Sequence, residues 1–165
     1  MASIKAAYAA SSDLTVTNLH SLASSATFVG CWESGAVDNT SNLYLDYAIT
    51  GKIAVGNSAT AGQIRIYTVP MLDDSTWPDV LDGTESTETW TDTEIRDGVA
   101  NLHRVIEVDA DGGTDDVYYF AFKVAELYNG ICPAKFVIVI SHSTGVNLAA
   151  SGNQVTIKGE YATVA

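Results

Sequence analysis

Gln63-Ile64-Arg65-Ile66-Tyr67-Thr68-Val69 alternates polar and apolar side chains from Gln63 to Ile66 and continues in strand-forming residues. A period of two is the signature of a β-strand, and it places Ile64, Ile66 and Thr68 on one face. Lys135-Phe-Val-Ile-Val-Ile-Ser141 carries the same β-branched bias but is apolar throughout, which predicts a central strand. Outward from these two, strand patterns recur at Asp13–Thr17, Ala26–Glu33, Arg104–Val108, Val117–Phe122 and Gln154–Tyr161. Leu43–Thr50 with Gly51–Gly56 reads as one bent strand or as two strands meeting at a glycine. About eight strands at short spacing predict a sandwich or a barrel.

Helical signals are sparse. Thr93 is placed to cap a short helix carrying Ile95, Val99 and Leu102 on one face, and Val124–Gly130 reads as one turn closed by glycine. Arg104–Val108 and Val117–Phe122 flank the turn-rich Asp109-Ala-Asp-Gly-Gly-Thr-Asp-Asp116, which predicts a hairpin. No repeat or linker divides the 165 residues, so the expectation is one all-β domain. Roughly 68–70% of the unfolded surface can be buried at this size.

The 20 acidic residues against 8 basic ones give a net charge of -12, which argues against nucleic acid and anionic membrane as partners. Charged residues make up only 17% and hydrophobic ones 47%, the balance of a globular chain and not of a disordered one. The opening residues lack the charged and apolar regions of a secretory signal, and the longest apolar run, Phe136–Ile140, is far short of the about 20 residues that span a bilayer. Synthesis and folding in a cytoplasm are therefore expected.

The charge is uneven. Residues 71–97 hold nine carboxylates (Asp73, Asp74, Asp79, Asp82, Glu85, Glu88, Asp92, Glu94, Asp97) against Arg96 alone, with Trp77 and Trp90 embedded among them. This stretch reads as one long acidic loop, and its tryptophans predict contact with a partner.

The chemical constellations are weak. Cys31 and Cys132 lie in apolar surroundings and read as buried free thiols acting as small hydrophobes, with a disulfide open only where the fold brings their Cα atoms within roughly 7 Å. His20, His103 and His142 lack metal-ligand spacing, and adjacent Ser141 and His142 would point to opposite faces of a strand. The segment 109–116 fails the calcium-loop template: its glycine comes early and Phe120 stands where a bidentate glutamate belongs. Carboxylate pairs in so acidic a loop carry no information about glycosidase chemistry, and no phosphate-binding glycine loop is present. Neither a catalytic residue nor a cofactor or metal site is expected.

Six segments carry a resemblance: Ser3-Ile-Lys-Ala-Ala-Tyr-Ala-Ala-Ser11, Glu33-Ser-Gly-Ala-Val-Asp-Asn-Thr-Ser-Asn-Leu-Tyr-Leu-Asp46, Gly51-Lys-Ile-Ala-Val-Gly56, Trp77-Pro-Asp-Val-Leu-Asp-Gly-Thr-Glu-Ser86, His142-Ser-Thr-Gly-Val-Asn-Leu148 and Tyr161-Ala-Thr-Val-Ala165. Together they resemble the head decoration, or cement, proteins of tailed bacteriophages. The resemblance implies a jelly-roll β-sandwich without catalytic residues. It further implies a homotrimer, the major capsid protein as partner, and residence on the capsid exterior of a virion assembled in a bacterial host. On that reading residues 1–12 form an N-terminal arm, and the candidate contacts are Ile4 and Tyr8 in the arm with Asp73, Asp74, Trp77 and Trp90 in the 71–97 loop. The rival readings are a head–neck or tail component and a carbohydrate-binding module stacking sugars on Trp77 and Trp90.

Overall fold

The computed structural model describes residues 3–110 and 116–164. In chain order the strands are β1 (Ile4–Tyr8), β2 (Ser12–Asp13), β3 (Gly30–Glu33), β4 (Val37–Asp38), β5 (Asp46–Ala54), β6 (Gly62–Pro70), β7 (Ser86–Thr89), β8 (Asn101–Val108), β9 (Val117–Lys123), β10 (Lys135–His142) and β11 (Gln154–Val164). Helix α1 (Thr93–Val99) precedes β8, and a 3-10 turn (Val124–Leu127) follows β9. One sheet runs β1-β11-β5-β9, with β2 also on β11. The other runs β7-β3-β10-β6-β8, with β4 also on β10. Every pairing is antiparallel, so the fold is an all-β sandwich.

The main core lies between the sheets. Ile49, Ile53, Phe120, Phe122 and Val155 meet Trp32, Ile64, Ile66, Phe136, Ile138 and Ile140 across the gap. Burying such side chains is worth roughly 1.5–3 kcal/mol each, which makes this layer the dominant source of stability. Gly51 lets β5 pass through it unbroken. A Cβ there would stand 2.5 Å from the ring of Phe120, its cross-strand partner, and 2.4 Å from the Gln154 carbonyl oxygen. The glycine read as a joint between strands is thus a close-approach point inside one strand.

The unbroken apolar run of β10 has a direct physical cause. Phe136, Ile138 and Ile140 enter the main core, while Val137 and Val139 enter a second cluster on the outer face of the same sheet. There Cys31, Tyr67, Val69, Leu81 and Trp90 complete a layer roofed by residues 71–100. A strand covered on both faces has no polar face to show.

Several expectations need correction. The acidic stretch is not a free loop: it contains β7 and α1 and forms a packed cover. Asp92, not Thr93, caps α1 by accepting the Glu94 N–H. The helix buries Arg96, not Ile95, and Leu102 belongs to β8. Arg96 donates to the carbonyls of Thr27 and Phe28, tying the helix to the residues ahead of β3. β8 and β9 do not form a hairpin, because β8 pairs with β6 in one sheet and β9 with β5 in the other. Asp111–Asp115, which carry most of the turn signal between them, lie outside the described residues. Of Asp13–Thr17 only Asp13 is in a strand, and the Ala26–Glu33 strand begins at Gly30.

Candidate contact surfaces

The N-terminal segment is a strand of the protein's own sheet. β1 pairs with the last residues of β11, from Ile4 opposite Val164 to Tyr8 opposite Glu160. β5 pairs with β11 only as far as Glu160, so residues 4–7 and 161–164 continue as a two-stranded ribbon beyond the sheet. Ile4 is 79% exposed and Val164 69%, and most of the ribbon shows both faces to solvent. Tyr8 is also exposed, with the Lys158 ammonium 5.3 Å from its ring centroid.

The 39–45 loop stands beside the ribbon, and it presents apolar side chains outward. Buried Asn39 builds this loop: its Oδ1 accepts the Tyr44 N–H and its Nδ2 donates to the Tyr44 carbonyl, both at 2.9 Å. The Leu43 N–H bonds back to the Asn39 carbonyl. The clamp holds Leu43 at φ 51, the left-handed region that disfavours branched side chains, and leaves it 74% exposed. A groove of about 620 Å³ separates Leu43 and Leu45 from Tyr161 and Ala162. Beyond Leu45, whose carbonyl accepts the Cys132 N–H, Ile131 is 75% exposed. The strand register puts the ribbon, this loop, Ile131 and the residues after Pro70 at one end of the sandwich.

Asp73 and Asp74 belong to that same end. They line a smaller hollow with Thr40, Met71 and Pro133, close to exposed Leu72. Asp73 shapes the turn by accepting the Ser75 and Thr76 N–H groups, and these bonds hold its carboxyl below the usual range. Ile4, Tyr8, Asp73 and Asp74 are thus brought to one end, all of them on the surface.

The tryptophans are not with them. Trp90 is 2% exposed, inside the cluster under the acidic cover, which removes it from any contact surface. Trp77 is half-buried over Gly83, where a Cβ would lie 2.9 Å from its Nε1. Their apolar faces cover the sheet instead of solvent, and they cannot form a shared stacking platform. The signal in the sequence was real but had another cause: a cover packed on a sheet needs large apolar anchors.

Two carboxylates fix that cover, Glu33 buried and Glu85 half-buried. Glu33 at the end of β3 is fully buried and accepts the N–H groups of Gly83 (2.7 Å) and Asp82 (3.2 Å). Burial pushes its carboxyl up to about 7, the two backbone donors oppose that rise, and the Asp82 and Glu88 carboxylates add to it. Glu85 accepts from Trp32 Nε1 and from the Asn18 backbone and side-chain N–H groups, each at 2.7 Å. Nothing in the sequence marks these two out among 20 acidic residues.

The thiols and imidazoles are packed in. Cys31 and Cys132 are free and buried, and burial pushes both thiols up to about 12. His103 Nε2 lies 2.8 Å from Thr68 Oγ1, and its ring stacks on Phe122 at 4.2 Å between centroids. Burial lowers its pKa to about 4. His142 Nε2 meets the Leu22 carbonyl oxygen at 3.0 Å. Among the described residues no cluster of three or more His, Cys, Asp or Glu side chains could hold a metal ion.

Comparison with protein-family models, with curated proteins and with solved structures finds no match to this chain.

Proposed function

We propose that this protein is a non-enzymatic structural component of a tailed-phage virion, one that decorates the assembled head by binding its major capsid protein. The observation that carries the reading is Leu43. The chain holds a large apolar side chain in a left-handed conformation, at a cost of about 1–3 kcal/mol, and exposes it beside Leu45, Ile131 and the ribbon. Buried Phe28 has the same conformation, but at exposed Leu43 neither the core nor the loop closure needs a leucine where asparagine or glycine fits better, which supports display as its role.

The strand order supports the jelly-roll form that the sequence resemblance implies. Setting aside the two-residue β2 and β4, and β7 of the acidic cover, the remaining strands alternate so that first and last pair in one sheet (β1-β11-β5-β9) and their neighbours pair in the other (β3-β10-β6-β8). The acidity supports the role as well. A decoration protein stays soluble at high copy number and gains occupancy from many weak contacts on a repeating lattice. On this reading the apolar end faces the shell, with Asp73 and Asp74 at its border to meet basic groups, and the protein resides on the outside of the virion.

The test is co-sedimentation of the purified protein with heads stripped of it. A Leu43→Ser, Leu45→Ser double variant that keeps its fold is expected to lose at least tenfold in occupancy. Undiminished binding overturns the assignment of this end as the contact surface.

A further inference from the structure

We propose that the free edge of β1 pairs with β1 of a second copy of this chain, antiparallel about a two-fold axis through Ala6. The pairing goes beyond the capsid reading and stands or falls without it.

The hydrogen-bond phase of the ribbon decides which groups are free. The Ala9 N–H donates to the Gly159 carbonyl at 2.9 Å, so that directly opposed pair is a hydrogen-bonded one. Alternation along an antiparallel ladder then turns the amides of Ala7 and Lys5 toward β11. Those of Ile4, Ala6 and Tyr8 point away, and among the described residues no strand lies on that side. Three donors and three acceptors in register form an unpaired template.

Side chains select the occupant. With the axis at Ala6, Ile4 stands opposite Tyr8 of the second copy, Ala6 opposite Ala6, and Lys5 opposite Ala7. Each aromatic thus meets a β-branched residue, a favourable cross-strand pair, and the two small alanines let the backbones close. The two lysines are kept from facing each other. The sequence Ile-Lys-Ala-Ala-Tyr is therefore complementary to itself when read antiparallel.

Charge points the same way. Two copies at -12 each repel over most of their surface. Residues 3–12 and 161–164 contain no carboxylate and only one cation, Lys5. The nearest acid on β11, Glu160, is neutralised by Lys123 Nζ at 2.6 Å. The edge of β1 is where two such molecules meet without stacking like charges.

Sedimentation equilibrium of the full chain tests the pairing. The wild type is expected at twice the 17.5 kDa of one chain. Ala6→Pro removes an outward N–H without touching a bond to β11 and is expected to give the single-chain mass with unchanged circular dichroism. Ala6→Lys and Ala6→Glu each place like charges face to face and are expected to be monomeric alone. An equimolar mixture of the two is expected to recover the doubled mass. A wild type at single-chain mass, a three-fold assembly, a dimer indifferent to Ala6→Pro, or a mixture that stays monomeric overturns the pairing. A three-fold assembly would instead match the trimer that the sequence resemblance implies, and the Leu43→Ser, Leu45→Ser test of the contact end is read separately from these masses.

Discussion

Glu33 accepts the Gly83 N–H at 2.7 Å from beneath the acidic cover, so the most acidic segment of the chain is held down by a further, buried carboxylate. That arrangement links the cover to pH. The Glu33 carboxyl is raised from an ordinary value near 4.5 to about 7 in the folded protein, mainly by burial. A raised carboxyl favours folding below its unfolded value and loses that contribution as pH rises through the folded one. His103 works in the opposite sense. Lowered to about 4 from an ordinary 6.5, it contributes stability above 6.5 that is lost as pH falls toward 4. The melting temperature is therefore expected to be highest between these limits, near pH 5–6, and to fall from pH 6 to pH 8. Glu33→Gln is expected to flatten the alkaline side of the profile. Thermal melts across pH 4–9 check it, and an unchanged alkaline slope in the variant contradicts the role given to Glu33.

Leu43 predicts a trade between stability and binding. Leu43→Asn relieves the left-handed strain and is expected to stabilise the isolated protein by about 1 kcal/mol. The same change removes an apolar side chain from the proposed contact end and is expected to weaken capsid occupancy. Denaturant unfolding and co-sedimentation on one preparation read both effects.

Trp90 carries the opposite expectation. It is buried in the outer cluster with Cys31, Tyr67 and Val139, so Trp90→Ala leaves a cavity and is expected to cost about 3–5 kcal/mol. Limited proteolysis of that variant is expected to begin within residues 71–100, because the cover loses its anchor. A Trp77→Ala, Trp90→Ala double variant would thus unfold the cover, and a loss of binding by it would not identify either ring as a contact.

Gly51 has no room for a side chain. Gly51→Ala drives a methyl into the Phe120 ring and the Gln154 carbonyl, and over-packing of this kind is expected to cost about 1–3 kcal/mol or more. Pairing it with Phe120→Leu is expected to recover only part of the loss, since the Gln154 backbone cannot withdraw. Equilibrium unfolding of both variants is the check.

The sandwich is legible because β6 shows the period of two over Gln63–Ile66 and β10 shows the unbroken apolar run of a central strand. Ile64, Ile66 and Thr68 share a buried face as the alternation requires, and the apolar run at 135–141 is central. What period cannot carry is the partner of each strand. The segment 109–116 has the composition of a hairpin turn, yet β8 before it and β9 after it pair in different sheets, and composition does not name the partners. The acidic stretch misled for a similar reason: its carboxylates suggest solvent, whereas Leu81 and Trp90 bury one side of it. Ile4, Tyr8, Asp73 and Asp74, which the decoration reading names as contacts, lie on the surface. Leu43 and Leu45 carry no contact signal in the sequence, because Leu43-Tyr-Leu-Asp reads as strand, and the clamp by Asn39 is a tertiary fact.

The most direct measurement of the central claim is the copy number and location of this protein in purified phage particles. Decoration predicts copies on the order of hundreds, in simple ratio to the capsid subunit and on the outer surface of the head. A count of about six or twelve, set by a ring at the neck or tail, or absence from the particle, would contradict it.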